Sequence, residues 1–194
     1  MRIKEFCDIR IGHAFRERLT NVPHGEVMII QPKNISSDGV VSFGEMEPLR
    51  TDVVASRPLK ARDVLVVNRG RFAATVFEFP SEGTWIVPSS ILVLSVTNES
   101  VLPEYLALYF NSANGQKLFR IHSEQTTVPF ISTNNLGNMD IPVPSLKKQQ
   151  ALIAFGKAVG KYACLSNRKQ ELLGGILNSE LEIGNLSEKK EKKS

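Results

Sequence analysis

Cysteine, histidine and tryptophan are scarce in this chain of 194 residues, with two, three and one of each. Cys7 and Cys164 lie far apart and form no metal-spaced pair, which predicts free thiols in a reduced, cytoplasmic setting. His13, His24 and His122 fall in loop-like contexts without partners at ligand or acid–base spacing, so no metal site and no histidine-centred catalysis is expected. There is no glycine-rich cofactor loop, no P-loop, and no Gly-x-Ser-x-Gly frame around the serines. The Asn/Asp-Pro-Pro-aromatic motif of amino-methyltransferases and the Asp…Glu-x-Lys arrangement of nucleases are also missing. No apolar run approaches membrane-spanning length, and Met1-Arg2-Ile3-Lys4-Glu5 turns charged too soon for a signal peptide. Together these absences predict a non-enzyme with no cofactor, no metal and no membrane partner.

What is present suits a globular core: the apolar share is 42%. The net charge is +4, yet residues 1–145 carry 14 Lys and Arg against 15 Asp and Glu. The basic excess lies in the last fifty residues, so the high pI does not describe the main domain. Within that domain charge is segregated. Arg57, Lys60, Arg62, Arg69 and Arg71 oppose only Asp63, which leaves room for a basic face.

Hydrophobic patterning divides the chain in three: a domain over 1–144, a long helix over 145–186, and a disordered Lys/Glu tail over 187–194. Residues 1–10 suit a short strand or a helical turn. Glu26–Gln31 reads as a buried strand ended by Pro32. The turn chemistry of Ser36-Ser37-Asp38-Gly39 predicts a return strand at Val40–Phe43. Val64–Val67, Phe72–Phe77, Trp85–Val87 and Ser90–Val96 read as further strands, with Asn68-Arg69-Gly70-Arg71 a tight basic turn. Pro103–Phe119 has helical period and predicts one helix, or two broken at Gly115. Residues 121–135 read as a polar loop around the apolar Val128-Pro129-Phe130-Ile131. From Ser145, a credible N-cap, Leu152, Phe155, Val159, Tyr162, Ser166, Lys169, Leu173 and Ile176 recur three and four apart, a heptad seam flanked by Leu165 and Leu172. Gly184 is the expected stop. The fold class is α+β, a mixed and mostly antiparallel sheet domain with packed helices, then a long coiled-coil-type C-terminal helix.

In order and spacing these segments resemble the target recognition domain of the specificity (S) subunit of type I restriction–modification systems. The features are Ile11-Gly12 with Phe15, Ile29–Ile35, Leu59–Leu65, Asn68-Arg69-Gly70, Pro103-Glu104-Tyr105-Leu106 with Tyr109-Phe110, Ser112 and Gly115-Gln116. Leu136, Ile141-Pro142-Val143-Pro144 and Gln149-Gln150 complete the series. Arg62 stands where the family usually has glycine before Asp63, and Thr126-Thr127 where a glycine often precedes the late loop. The resemblance implies recognition of double-stranded DNA, with a type I modification (methyltransferase) subunit and, through it, a restriction subunit as partners. Family S subunits usually carry two recognition domains, each followed by a long helix, with the two helices antiparallel. One of each here implies a half-subunit, either a short one that closes a homodimer through Leu152, Phe155, Val159, Tyr162, Leu165, Leu172, Leu173 and Ile176, or one member of a related system.

DNA recognition needs cations for phosphates and forked or planar polar groups for base edges. Arg16 and Arg18 after the Gly12 turn, Lys33, Asn34 and Ser36 on the next loop, Arg69 and Arg71 around Gly70, and Arg120, Gln125, Thr126 and Thr127 near the late loop are the candidates. Tyr105, Tyr109, Phe110, Phe119 and Trp85 read instead as packing residues. The near-neutral domain keeps a second reading open, a non-catalytic interaction or regulatory module that pairs with S-type or methyltransferase subunits without reading DNA.

Overall fold

The structure, a computed structural model, describes residues 1–15, 26–36, 39, 41–42, 49–51, 57–78, 83–124 and 127–191. The side chains of 49–51 and 176–191 are outside that description. Two compact units result, Met1–Ile153 and Ala154–Ser194.

The first unit is built on two strands buried on both faces. β4 (Val64–Val67) and β7 (Ile91–Val96) pair antiparallel at the centre of a four-stranded sheet, with β1 (Cys7–Ile11) beside β7 and β5 (Ala74–Val76) beside β4. Val64, Val66, Leu92 and Leu94 point to one face, Leu65, Val67, Ile91 and Val93 to the other. That is why these strands read as continuous apolar runs rather than as alternations. Each fully buried Val, Leu or Ile stabilises the fold by roughly 1.5–3 kcal/mol.

A second sheet lies against one face. In it β2 (Val27–Ile29) pairs antiparallel with β3 (Leu49–Thr51) and parallel with β6 (Thr84–Ile86). Met28 and Trp85 pack from this sheet onto the Leu65 and Val93 side. Helices α1 (Pro103–Asn111), α2 (Ala113–His122) and α3 (Thr133–Gly137) supply Leu106, Phe110, Phe119 and Leu136 to the opposite face. Phe72 stacks on Phe119 with ring centroids 4.8 Å apart. β5 is an edge strand, and Asn111 covers it: Oδ1 accepts the Ala74 N–H at 2.9 Å while Nδ2 donates to the Ala74 carbonyl at 2.7 Å.

Three sequence expectations need correction. Pro103–Phe119 does break into two helices, but at Ser112, whose hydroxyl accepts from Gly115 N–H as the N-cap of α2. Gly115 is buried where a Cβ would lie 2.1 Å from the Tyr109 carbonyl, so it serves close approach and not the break. The stretch 121–135 is less of a loop than expected, since α2 runs to His122 and α3 starts at Thr133. Finally, Gly39 sits at φ 79° and its N–H donates to the Ser36 carbonyl at 3.1 Å, and among the described residues Val41 meets Ile35 in an isolated bridge rather than a strand. Residues 40 and 43 lie outside the described residues.

The long helix α4 (Leu146–Glu191) starts directly after Ser145. It passes Gly184, where a stop is expected, and takes in residues 187–191 of the expected disordered tail. One glycine lowers helix propensity by about 1 kcal/mol, and the Lys/Glu-rich residues beyond it are good helix formers.

Candidate nucleic-acid interface

The turn after β4 is the hub. Gly70 adopts φ 75°, a left-handed conformation that reverses the chain between Arg69 and Arg71. Two other stretches, distant in sequence, meet this turn. The late loop docks by backbone: Gly70 N–H donates to the Pro129 carbonyl at 2.8 Å, and Ile131 N–H to the Asn68 carbonyl at 2.9 Å. Arg69 and Glu124 each form an antiparallel bridge with Phe130. The loop after β2 is joined by Arg71, whose Nη2 donates to the Ile35 carbonyl. That loop is a 3-10 turn over Pro32–Asn34 followed by Ile35, which is fully buried.

Lys33, Ser36, Arg69, Arg71 and Thr127 therefore come from three chain segments that bond to one another around a single turn. Lys33, Arg69, Arg71 and Thr127 are exposed. Asn34 is not available to a ligand in the way expected of a base-reading amide. It is 5% exposed, and its Oδ1 accepts the Gln31 N–H at 2.9 Å, closing the 3-10 turn. Arg120 is exposed in the last turn of α2, ahead of the segment that pairs Glu124 with Phe130. Arg16, Arg18, Gln125 and Thr126 lie outside the described residues.

Phe130 was not foreseen as part of this site. The Arg69 guanidinium carbon stands over its ring, 5.3 Å from the centroid. The signal was an apolar tetrad inside an otherwise polar loop, where Ile131 is core and Phe130 is half-buried.

A second set of contacts makes the scaffold firm. Asp63, 2% exposed, accepts from Arg10 Nη2 at 3.2 Å, Lys60 N–H at 2.9 Å and Ser95 Oγ at 2.6 Å. Arg10 also donates to the Arg57 and Pro58 carbonyls, so a buried carboxylate is fully matched by donors. Gly12 passes so close to the 87–88 segment that a Cβ would lie 2.2 Å from the Pro88 carbonyl. The tyrosines pack as expected. The Tyr105 hydroxyl donates to the Pro142 carbonyl at 2.7 Å, and burial, then Tyr109, pushes its phenol up.

On the long helix, Leu152, Phe155, Val159, Tyr162, Leu165, Leu172 and Leu173 are all exposed, from 37% at Leu152 to 76% at Tyr162. The Ile176 side chain is outside the described residues. No described helix is long and apolar enough to cross a membrane.

Comparison with known proteins follows the same lines. Residues 1–173 match the family described as the type I restriction modification DNA specificity domain. No curated protein matches the chain. Among solved structures, one of complex assembly and conformational transition in the type I R-M system superposes with a TM-score of 0.64 at 18% identity, covering 87% of this chain and 40% of that one. The HsdS subunit from Thermoanaerobacter tengcongensis gives 0.61 at 19% identity, over 88% and 39%. The type I restriction–modification S subunit from M. genitalium gives 0.53 at 16% identity, over 80% and 37%. At these identities the likeness is one of fold. The chain spans about two fifths of the length of these relatives.

Proposed function

The chain belongs to the type I restriction modification DNA specificity domain family, and from that premise we propose that it reads double-stranded DNA as one half of a specificity subunit. In this reading the domain recognises one half-site through the turn at Gly70 and the two loops bonded to it. The helix pairs antiparallel with a second copy in a coiled coil, sets the distance between half-sites, and offers a docking surface to a cytoplasmic methyltransferase subunit. A restriction subunit is reached through that partner. The chain's own part is recognition, not catalysis. A twofold pair of readers implies an inverted-repeat target.

The observation that carries this reading is the convergence at Gly70. Two segments dozens of residues away in sequence bond to the turn, and Lys33, Arg69, Arg71 and Thr127, all exposed, lie on these three stretches. Cations serve phosphates there, and forked or hydroxyl side chains serve base edges. The test is selection from a random duplex pool, with and without a type I modification subunit, at moderate and high salt. A split motif with two related half-sites is expected, with affinity falling steeply as salt rises. No enrichment in either condition overturns the reading.

The exposed apolar row from Phe155 to Leu173, beside a domain of near-zero net charge, favours a second reading. There the chain is an interaction or regulatory module that engages S-type or methyltransferase subunits through the helix without touching DNA. Binding to such a subunit that is indifferent to DNA and only weakly sensitive to salt would favour it.

A further inference from the structure

We propose that Arg69 reads a guanine in the target half-site and that Phe130 is its positioning residue. The proposal rests on the DNA-recognition reading above and narrows it to one side chain and one base.

Two arginines flank Gly70, and they are employed differently. Arg71 commits a guanidinium N–H to the Ile35 carbonyl, so it fastens the turn to the loop after β2. Arg69 is exposed and, among the described residues, its side chain engages neither a carboxylate nor a carbonyl. Among the described residues its side chain meets the Phe130 ring, 5.3 Å from guanidinium carbon to centroid. A ring attracts the cation through its quadrupole without supplying the oxygen acceptors that the N–H fork is built to meet.

The platform is itself fixed. Phe130 is bridged on one side to Arg69 and on the other to Glu124, whose N–H donates to the Phe130 carbonyl at 2.8 Å. Its neighbour Ile131 is fully buried, and Pro129 accepts from Gly70 N–H. An exposed arginine on a loop ordinarily loses much rotamer freedom when it binds. Here the turn and the ring restrict it beforehand, which is what a directional contact requires. Of the base edges in the major groove, guanine presents the two acceptors, O6 and N7, that match a planar fork, and arginine on guanine is the commonest specific contact. A phosphate also accepts such a fork, but a contact there carries no base preference, and the experiment separates the two.

The experiment compares the wild type with Arg69→Lys, Phe130→Leu and Phe130→Tyr in the duplex selection, together with the modification subunit. The wild type is expected to prefer guanine at one position of each half-site by about tenfold or more. Arg69→Lys keeps the charge, so the salt slope stays near that of the wild type while the preference at that position collapses and the others persist. Phe130→Leu keeps the apolar anchor but removes the ring, and reduces the preference several-fold at an unchanged salt slope. Phe130→Tyr restores it. Thermal melting of each variant checks that the domain is folded.

A selected motif without guanine, or one whose base preferences survive Arg69→Lys at every position, overturns the role of Arg69. Full discrimination in Phe130→Leu overturns the role of Phe130. A wild type that enriches no sequence brings down the recognition reading itself, an outcome distinct from the other two.

Discussion

The side-chain oxygen of Gln149 accepts the backbone N–H of Leu102 at 2.9 Å. A residue in the first turn of α4 thus satisfies the chain where α1 begins, a service that a capping-box Glu or Gln usually provides from within its own helix. The Nε2 of Gln149 donates to the Ser100 and Pro144 carbonyls at 2.7 and 2.8 Å, and the residue is fully buried. The amide thus ties the residues just ahead of α1 to the start of α4 within the first unit.

Removing that amide is therefore costly. Gln149→Ala takes the partner from one N–H and two carbonyls, all part-buried, at about 1 kcal/mol for each hydrogen bond lost. The expected loss is about 2–4 kcal/mol in urea unfolding. Gln149→Glu is expected to be at least as damaging at neutral pH, because it sets a carboxylate against two carbonyls. A Gln149→Ala variant within 0.5 kcal/mol of the wild type, about the scatter of an ordinary surface change, would mean water replaces the amide at no cost.

Arg62 carries backbone strain that its ion pair only partly offsets. It is the one non-glycine residue with positive φ among the described residues, at 70°, where an L side chain costs roughly 1–2 kcal/mol. Its Nη1 lies 2.8 Å from Glu104 Oε1, but with 56% of the side chain exposed such a pair contributes about 0–1 kcal/mol. Arg62→Gly is expected to stay within about 1 kcal/mol of the wild type, since strain relief offsets the lost pair and the added freedom of the unfolded chain. Arg62→Val keeps the strain, loses the pair and adds a β-branch, so it should be the least stable of the three. Melting temperatures in the order Val, then Gly and Arg together, check the account.

The contrast between Arg62 and Gly115 shows which parts of the fold were legible. A turn at Lys60–Asp63 with Arg62 in the usual place of glycine was legible, because turn chemistry is local, and the positive φ of Arg62 accounts for that glycine. Val64–Val67 and Ser90–Val96 were legible as strands, and their burial on both faces fits apolar runs without alternation. The parallel pairing of β2 with β6 was not, because nothing in either segment identifies so distant a neighbour. The role of Gly115 was missed although its constraint is near in sequence, because the Tyr109 carbonyl presses on it only once the chain turns at Ser112. At the site, charge and turn chemistry pointed to Arg69 and Arg71. The burial of Asn34 and the platform under Arg69 depend on contacts between segments.

The two cysteines should differ sharply in reactivity. Cys7 is 5% exposed, and burial, then the charge of Asp8, pushes its thiol up from 9.0 to about 12. Cys164 is exposed. One thiol per chain is expected to label rapidly in the native protein and two in denaturant. The sign of the pH dependence follows from the raised value. The folded state holds its proton where the unfolded thiol has lost it, so the contribution is whole below pH 9.0 and declines as pH rises toward about 12. Urea midpoints across that range should fall more steeply for the wild type than for Cys7→Ala. Equal slopes would mean that Cys7 does not govern the alkaline loss.

The last prediction concerns the apolar row of the long helix and rests on the proposed pairing with a second copy. Phe155 is 70% exposed, Val159 50%, Tyr162 76% and Leu173 54%, all on the heptad seam, with Leu165 at 61% beside it. A partner helix that covers this row removes it from water, and burying each Val or Leu stabilises by roughly 1.5–3 kcal/mol. Val159→Glu with Leu173→Glu introduces four carboxylates into a symmetric dimer in place of four such groups. The loss is then roughly 6 kcal/mol or more before charge burial is counted, enough to turn micromolar association into none detectable. Neither side chain is buried in the single chain, so the melting temperature of the domain should hardly move. Light scattering should show the wild type as a dimer and the double variant as a monomer. A double variant that still scatters as a dimer removes the apolar row from the interface and leaves the spacing of half-sites to some other contact.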